Sequence, residues 1–388
     1  MSAHDSAESY QVAVLGAGLA GAATAWELAR RGVSTVLVEA YRPGHRQGSS
    51  HGSSQIFTRA GTDPFYVELA AQAEACWEEL EADSGTRLRH RTGALDFGVR
   101  RDPVRLAARL GAAGVPHTLL TARDAAERWP HLRFGDGPVL HHADAGWLDP
   151  DATVAACVAR AVAHGADLRT GVRVSAVERL HSGQVRLHGP GLDRAPVRAE
   201  RVVVAAGAWL PELGLPARLP PLTVTQHQVF HFRHRRQQQG PQTPATAWPV
   251  FVHRSGRHQV FGLPSGADGG AASFKLGLLA DGRVTTAGTR SGVVDPASRQ
   301  AVGDYVRERL PELDPEPFAE VSSLRISTPT RDFVLDRSGP LVIVSPCSGH
   351  GGRFAPLLGR LTADLALGKA EGLSRFALPG AQVGVRSR

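Results

Sequence analysis

The sequence is poor in cysteine, lysine and long hydrophobic runs, and each shortage excludes a class of protein. Cys76, Cys157 and Cys347 are too few and too scattered for a disulfide framework or a zinc site. No stretch reaches the roughly 18 consecutive apolar residues of a membrane-spanning helix. The first ten residues are polar and include Asp5 and Glu8, so they do not resemble a signal peptide. We therefore expect a cytoplasmic protein.

Positive charge is supplied almost entirely by arginine. The net charge is +7 and the sequence pI about 10.0, yet Lys275 and Lys369 are the only lysines among the 44 basic residues. Residues 233–236 form the densest basic cluster, and glutamines follow at 237–239. We interpret this stretch as a solvated loop and expect no nucleic-acid or membrane partner. The general positive field would instead concentrate an anionic cofactor or substrate.

The order of the predicted elements indicates an α/β fold with an insertion. Residues 11–38 read as strand, glycine turn, helix and strand, and residues 341–367 repeat the order of strand, glycine turn and helix. Between them, a glycine- and serine-rich stretch covers 44–54, and residues 64–84 have helical spacing. Alternating patterns between about 220 and 320 predict an inserted antiparallel sheet. We expect a nucleotide-binding domain interrupted by a substrate domain.

The first glycine turn has the spacing of a dinucleotide-binding motif. An apolar strand at 12–15 leads into Gly16, Gly18 and Gly21, and the second strand ends at Glu39. The first glycine allows a tight turn, the second allows close approach to a pyrophosphate, and the third allows close helix–strand contact. The helix N-terminus faces the phosphates, and the acid can accept a hydrogen bond from a ribose hydroxyl. An acid at this position argues against NADP.

Two distant segments favour FAD over NAD. An apolar strand at 202–206 ends at Gly207, which suits a second crossing of the backbone near the nucleotide. Residues 348–354 form a glycine turn that opens another helix, whose N-terminus would stabilise negative charge on a reduced isoalloxazine. Two helix N-termini directed at one long cofactor fit FAD better than NAD.

These segments together resemble one family. The sequence is similar to the monomeric sarcosine oxidase and N-methyltryptophan oxidase family, FAD-dependent amine oxidoreductases of the D-amino acid oxidase superfamily, from about residue 10 to about 380. The resemblance lies in residues 16–39, 50–52, 146–150, 205–209, 274–277 and 348–354.

The resemblance implies a Rossmann-like FAD-binding domain with an inserted substrate domain of antiparallel β-sheet plus helices. We expect the FAD-binding domain to comprise residues 10–85, 145–215 and 325–380, and the substrate domain to comprise 86–144 and 216–324. The expected FAD contacts are Gly16, Gly18, Leu19, Ala20, Gly21, Glu39, Ala40, Ser50, His51, Gly52, Val174, Ala206, Gly207, Trp209, Gly349, Gly351, Gly352, Arg353 and Phe354.

The resemblance also assigns roles to three side chains. Lys275 matches the lysine that activates O2, since a fixed ammonium stabilises a developing superoxide; a salt-bridging lysine is the alternative. Arg353 replaces a lysine that holds the substrate carboxylate, and it could instead be structural. His350 is a catalytic candidate but more often such a histidine is a hydrogen-bonding scaffold, and His51 has the same ambiguity.

The sequence departs from the family pattern at the flavin attachment point. The family cysteine that binds FAD covalently, about ten residues before the Phe333–Asp336 segment, corresponds to Ser323. Serine cannot form the thioether, so we expect non-covalent FAD unless Cys347 replaces the missing residue.

Four further departures concern the substrate pocket. Gln55 and Thr58 replace two arginines of the family, although Arg59 is adjacent to the second, and Phe261 and Leu279 replace a tyrosine and a histidine. The predicted pocket is therefore less polar than one built for sarcosine. We expect a bulkier or less charged amine, or a cyclic or aromatic amino acid derivative.

The expected reaction is hydride transfer from the α C–H of an amine to flavin N5, giving an imine, with O2 reduced to H2O2. A flavin-dependent dehydrogenase or a tailoring enzyme of a biosynthetic pathway is the main alternative. A flavin-binding protein without turnover and a plain NAD dehydrogenase are weaker ones. We expect a small-molecule amine and O2 as partners, a monomer, and no metal, because no His, Asp or Glu cluster has metal-ligand spacing.

Overall fold

The computed structural model describes residues 8–192, 196–235, 248–269, 273–280, 282–346 and 348–380. Seven α-helices lie within this described part of the chain. They are α1 (Leu19–Ala29), α2 (Pro64–Ser84), α3 (Pro103–Ala112), α4 (Ala122–Arg128), α5 (Pro150–Ala163), α6 (Pro296–Arg309) and α7 (Ala355–Leu367).

Twenty strands form three sheets within the same residues. The first ten are β1 (Glu8–Leu15), β2 (Thr35–Glu39), β3 (Gln55–Phe57), β4 (Arg89–Arg91), β5 (Ala94–Phe97), β6 (Thr118–Leu120), β7 (Val139–His142), β8 (Gly146–Leu148), β9 (Asp167–Thr170) and β10 (Ala176–Arg179). The others are β11 (Val185–His188), β12 (Val197–Val204), β13 (Thr223–Arg233), β14 (Val250–Arg254), β15 (Gln259–Pro264), β16 (Ser273–Leu278), β17 (Arg283–Thr285), β18 (Ala319–Ser327), β19 (Val334–Ser338) and β20 (Leu341–Ser345).

The first sheet has eight strands and a parallel centre. Its order is β10-β11-β12-β1-β2-β9, and β20 continues from β12 to β19. Strand β1 is parallel to both β12 and β2, and β12 is parallel to β20. Residues 12–15 are buried on both faces of the sheet, as their uninterrupted apolar run predicts. The central strands therefore end together at one edge, where the first glycine turn lies.

Helices α1 and α7 pack against each other on one face of this sheet. A Cβ added at Gly359 of α7 would lie 2.6 Å from the carbonyl carbon and oxygen of Ala23 in α1. Such close packing requires glycine. The α1–α7 contact places the N-terminus of the helix after the first glycine turn near that of the helix after the second.

The second sheet has nine strands and belongs mainly to the inserted region. Its order is β17-β13-β16-β15-β14-β5-β7-β6, with β18 also paired to β13. The expected antiparallel pairing holds except between β5 and β14, which are parallel. Strand β5 comes from before residue 100 and joins the sheet of the inserted region beside β14. Its core contains Phe230, Phe251 and Tyr305. The third sheet is the small antiparallel β3-β8-β4.

The predicted α/β fold class, with an inserted sheet and helices, is confirmed, and so are the main helices. Helix α2 begins at Pro64, its N-cap Asp63 accepts a hydrogen bond from the Phe65 amide, and it ends before Gly85. Helix α6 lies in the region of about 220–320, where the alternating pattern predicted strands and located no helix. The division into two discontinuous domains stays a prediction.

Two sequence observations concern residues that fall partly or wholly outside this description. The last residue of the basic cluster, Arg236, the glutamines at 237–239 and Cys347 lie outside the described residues. Within the described part of the chain, no helix has the length and apolar character to cross a membrane.

Candidate cofactor and substrate site

One large cavity, of about 1050 Å³, is lined by residues from all three sheets. Leu15 of β1 contributes from the first sheet, Lys275 of β16 from the second and Ile56 of β3 from the third. Small-molecule sites usually measure roughly 300–1,000 Å³. The cavity therefore has room for an extended dinucleotide with a small substrate beside it.

The first glycine turn forms one end of the cavity. Gly16 has φ +98°, and a Cβ there would lie 2.6 Å from the carbonyl oxygen of Ala205. A Cβ on Gly18 would lie 3.0 Å from the Ser50 hydroxyl oxygen, which accepts a hydrogen bond from the Leu19 amide at 3.0 Å. The bare backbone is thus open to a close-lying ligand at the N-terminus of α1.

Glu39 is buried at the end of β2 beside this turn. Its carboxylate accepts hydrogen bonds from the Ala17 amide at 2.7 Å and the Tyr41 amide at 2.8 Å. Burial raises the pKa of this carboxyl, but hydrogen bonds from His45 and the two amides outweigh it, and the pKa lies below its usual value. An ionised acceptor at the cavity wall is the arrangement expected for a ribose hydroxyl.

Most of the expected FAD contacts line the same cavity. Besides those above, the lining includes Ala20, Ala40, Ser50, His51, Gly52, Val174, Ala206, Gly207, Trp209, Gly349, Gly351, Gly352 and Arg353. Gly21 and Phe354 do not line it. A Cβ on Gly21 would lie 1.8 Å from the Gly16 carbonyl oxygen, so this glycine permits helix–turn packing, and Phe354 is fully buried in the hydrophobic core.

The second glycine turn connects β20 to α7 on another side of the cavity. Ser348 and Gly349 have φ +46° and +80°, and a Cβ on Gly351 would lie 1.6 Å from the Pro346 carbonyl oxygen. The tight turn brings Gly352 against the Gln55 side chain, whose Oε1 would lie 2.3 Å from an added Cβ. The turn is built by backbone geometry, and it presents main-chain atoms to the cavity.

Two polar side chains of the lining lack a protein partner. The Nε2 atom of His51 and the hydroxyl of Ser54 are buried without a hydrogen bond. Burial, followed by the charges of nearby Arg46 and Arg290, lowers the pKa of His51 to about 4, so its imidazole is neutral at pH 7. Buried polar atoms are normally paired. Together with the two glycine turns and Glu39, these orphaned atoms fit a bound FAD.

Lys275 lies on β16 with its ammonium in the cavity wall. The Nζ atom donates a hydrogen bond to the Ser54 carbonyl oxygen at 2.5 Å, and the side chain is buried. Burial lowers the pKa of Lys275 to about 8, although Asp268, Asp151 and Asp149 act in the opposite direction. Among the described residues, no carboxylate forms a direct ion pair with Lys275, and its burial does not fit the alternative of a salt-bridging surface lysine.

Those three carboxylates were not singled out in the sequence. Asp268 accepts a hydrogen bond from the Ser53 amide at 2.8 Å, and Asp151 accepts one from the Gly52 amide at 3.1 Å. Burial raises the pKa of Asp151, and the charges of Asp268 and Asp149 raise it further. The acids therefore brace the loop around residues 52–54 that carries the Lys275 acceptor.

Arg353 and His350 occupy the second glycine turn. The Arg353 Nη1 atom donates to the Thr58 carbonyl oxygen at 2.7 Å, while its buried Nε atom has no partner. The His350 Nε2 atom donates to the Arg331 carbonyl oxygen at 3.1 Å, and its ring packs against Tyr66 and Phe333. Burial lowers the pKa of His350 to about 4, with Arg353 next in effect. This neutral, packed histidine has the geometry of a scaffold.

The four residues of the predicted substrate pocket all line the cavity: Gln55, Thr58, Phe261 and Leu279. Ser323 lines it too, on β18 opposite His227 of β13.

Sequence reasoning missed several cavity-lining residues. They are Tyr66, Arg101, Arg254, Gln259, Arg325 and Arg331. Each lies on a different strand, loop or helix from the glycine motifs, so no local pattern marks it. For the four arginines among them, the one signal available in the sequence is the general excess of arginine. Within the described residues, no group of histidine, cysteine and acidic side chains is arranged to hold a metal ion.

Comparison with known proteins identifies the family. The sequence profile described as FAD dependent oxidoreductase matches residues 11–365. The chain belongs to this family. The predicted resemblance, the enzyme class and the use of FAD are therefore confirmed, and the cavity of this flavoenzyme is the place where FAD fits.

Individual relatives cover nearly the whole flavoenzyme. Monomeric sarcosine oxidase of Streptomyces avermitilis is 32% identical over 370 residues, which are 92% of this chain and 94% of that protein. N-methyl-L-tryptophan oxidase of Yersinia pestis is 27% identical over 389 residues, covering 95% and 98%. Among solved structures, NikD, described as an unusual amino acid oxidase essential for nikkomycin biosynthesis, superposes with a TM-score of 0.83 at 26% identity, covering 96% and 98%.

Proposed function

We propose that this flavoenzyme oxidises the C–N bond of a secondary amine or amino acid derivative and passes the electrons to O2. The observation that carries the proposal is the buried Lys275 ammonium in the wall of the FAD-sized cavity, held by the Ser54 carbonyl. Its relatives include a sarcosine oxidase and an N-methyl-L-tryptophan oxidase, both named for amine oxidation.

The proposed reaction balances without a dedicated base. The α C–H of the neutral amine leaves as hydride, the nitrogen loses a proton to solvent, and the resulting imine hydrolyses in water. FAD, when bound, supplies the two-electron acceptor and delivers the electrons to O2, which takes up two protons and becomes H2O2. The chain's part is to desolvate and orient the amine.

Three side chains have proposed roles in that orientation and in oxygen reduction. Arg353, half-buried beside Thr58, binds the substrate carboxylate through guanidinium N–H groups not used on the Thr58 carbonyl. His350 positions the turn through the Arg331 carbonyl and transfers no proton. Lys275 stabilises negative charge that develops on O2.

The flavin is proposed to be non-covalently bound, and the substrate to be larger than sarcosine. Ser323 lines the cavity at the position of the family cysteine, and its hydroxyl cannot form a thioether. Gln55, Thr58, Phe261 and Leu279 remove two guanidinium groups, a phenol and an imidazole from the lining. A larger or partly apolar substrate fills the space that they leave.

The test is anaerobic reduction of the purified yellow protein by a panel of N-methyl, cyclic and aromatic amino acids. We expect at least one of them to bleach the flavin absorbance, and admission of air to restore it with one H2O2 per flavin. A flavin that no amine reduces would contradict the proposal. A colourless preparation that binds NAD instead would contradict the cofactor assignment as well.

A second candidate is a tailoring enzyme of a biosynthetic pathway that oxidises its substrate by more than two electrons. The similarity to NikD favours it, since that protein serves nikkomycin biosynthesis. A dehydrogenase that uses an acceptor other than O2 belongs to the same class of alternatives. Counting the O2 consumed per substrate separates two-electron from four-electron oxidation, and slow reoxidation in air would favour the dehydrogenase.

A further inference from the structure

Four arginines of the cavity lining come from four separate segments of the chain. Arg101 precedes α3, Arg254 ends β14, Arg331 lies in the turn before β19, and Arg353 lies in the second glycine turn. Arg254 and Arg331 are exposed, whereas Arg101 and Arg353 are half-buried. The set therefore extends from the rim of the cavity toward its interior.

These arginines have little negative charge to pair with. Arg101 donates from Nε to Asp96 Oδ1 at 2.5 Å. The hydrogen bonds of the other three end on neutral oxygens. Their acceptors are Gln259 Oε1 at 2.9 Å for Arg254, the Ser348 carbonyl at 3.4 Å for Arg331 and the Thr58 carbonyl at 2.7 Å for Arg353.

Nearby acids reduce this excess of positive charge without removing it. Asp332 follows Arg331 in the chain and also lines the cavity, and it accepts from the Tyr66 hydroxyl at 2.9 Å and from Arg375 Nε at 2.8 Å. Arg375 also pairs with Asp63 at 2.5 Å, so these three groups together carry one net negative charge. With Asp96, the acids offset two of the four guanidinium charges, and the arginine set keeps an excess of positive charge.

Three pairs within this set repel each other: Arg101 and Arg353, Arg101 and Arg254, and Arg254 and Arg331. Burial, followed by the charge of Arg101, lowers the pKa of Arg353 to about 10. Burial also lowers the pKa of Arg254, followed by the charges of Arg101 and Arg331. Like charges gathered at a cavity are unfavourable unless a bound anion compensates them.

The backbone at Arg331 is held in an uncommon conformation. Its φ of +64° is in the left-handed region, which is unfavourable for a residue with a side chain. The amide of Arg331 donates to the Thr328 carbonyl at 3.1 Å, and its own carbonyl accepts from His350 Nε2. Two contacts therefore fix the residue at the rim, as expected for a side chain that must point at a ligand.

We propose that the substrate carries a second anionic group besides the α-carboxylate bound by Arg353, and that Arg254 and Arg331 bind this second group at the rim of the cavity. Arg101, whose charge is partly balanced by Asp96, lies within electrostatic reach of both anions. The substrate class is then an N-substituted amino acid with an acidic side chain or an acidic N-substituent. The proposal rests on the proposed function, and it replaces the expectation of a less charged substrate with that of a larger substrate that carries an additional negative charge.

The first experiment needs no turnover. Glutarate and its monoamide have nearly the same shape and differ by one charge, and each can be titrated against the flavin spectrum of the holoenzyme. We expect glutarate to bind about tenfold more tightly, because an anion held by arginine gains charge-assisted hydrogen bonds. That preference should shrink in high salt and be lost in Arg254→Gln and Arg331→Gln. Equal binding of the two ligands to the unaltered enzyme would overturn the proposal.

The second experiment measures anaerobic flavin reduction by N-methyl-L-glutamate, by N-methyl-L-aspartate and by the side-chain amide of each, which keeps the α-carboxylate. We expect each acid to reduce the flavin with about tenfold higher efficiency than its amide, and Arg254→Gln to slow only the acids. Arg123→Gln is the matched control, since Arg123 is exposed on α4 and pairs only with Glu127. Amides as good as acids would overturn the proposal. Failure of every amine, with the glutarate preference intact, would instead count against the proposed function.

Discussion

The Nζ atom of Lys275 lies 2.5 Å from the carbonyl oxygen of Ser54, 221 residues earlier in the chain. This hydrogen bond joins the second sheet to the loop between β2 and β3. Because the acceptor is a main-chain carbonyl, this hydrogen bond does not depend on which side chain stands at position 54. The ammonium is therefore a fixed charge at the cavity wall.

Replacing Lys275 with methionine should slow the reaction of the reduced enzyme with O2 by about 10²- to 10³-fold, the effect of removing one fixed charge from a developing anion. Anaerobic reduction by the amine should change far less. Stopped-flow mixing of the reduced enzyme with oxygenated buffer measures the step. Lys369→Met is the control, because Lys369 is the other lysine of the chain and is exposed. Normal reoxidation in Lys275→Met would refute the role in oxygen reduction.

The oxygen reaction should also depend on pH in a defined direction. Burial lowers the pKa of Lys275 from its ordinary 10.5 to about 8, so the side chain is an ammonium below about pH 8 and a neutral amine above it. If the charge drives O2 reduction, the rate constant is highest below about pH 8 and falls as pH rises through that value. In Lys275→Arg the fall should disappear, since guanidinium stays charged across this range. The same fall in both enzymes would assign it to another group.

Glycine at position 16 should be required for both stability and flavin binding. Its φ is +98°, and a Cβ would lie 2.6 Å from the carbonyl oxygen of Ala205, the residue that follows the neighbouring strand β12. Gly16→Ala should therefore lower the free energy of unfolding by more than about 2 kcal/mol and reduce the flavin content. Gly32→Ala is the matched control, because Gly32 has φ +74° but no atom within 4 Å of an added Cβ. Equal losses in both variants would show that backbone strain alone is responsible.

Short-range features of this fold could be read from the sequence, and long-range ones could not. The turn from Gly16 to Glu39 is a local pattern in which spacing dictates geometry, so its placement at the cavity followed from the letters alone. Helix α6 was missed because its few apolar residues lie among charged ones. Asp295, which accepts from the Ala297 amide, and Pro296 at the first helical position are a helix-start signal that could have revealed it.

The charge pattern of the cavity depends on contacts between distant segments. Arg101, Arg254 and Arg331 are more than 70 residues apart from one another in the chain. In the sequence alone, an arginine at the end of a strand looks like an ordinary surface residue. Substitutions at Gln55 and Phe261 were visible only against the family pattern. They indicated a loss of polarity, while the arginines that restore charge at the rim are visible only in the assembled structure.

Arg353 should control the binding of substrates that carry an α-carboxylate. Its Nη1 atom is used on the Thr58 carbonyl, while its buried Nε atom is left without a partner. Arg353→Met should raise the dissociation constant of an N-methyl amino acid by roughly 100-fold, the order expected for a charge-assisted, partly buried contact. The matching amine without a carboxylate should bind equally well to both enzymes. Parallel losses for the two ligands would show that the arginine is only structural.

Flavin should be released intact when the protein is denatured. Ser323 lies on β18 opposite His227 and lines the cavity, but its hydroxyl offers no thiolate for attachment. Precipitation with acid should leave a colourless pellet and place all of the FAD in the supernatant, for the native enzyme and for Ser323→Ala alike. If colour stays with the pellet, Cys347→Ala decides the attachment point. That colour would itself refute non-covalent binding. Its loss in the variant would assign the bond to Cys347, and its persistence would place the bond at another residue.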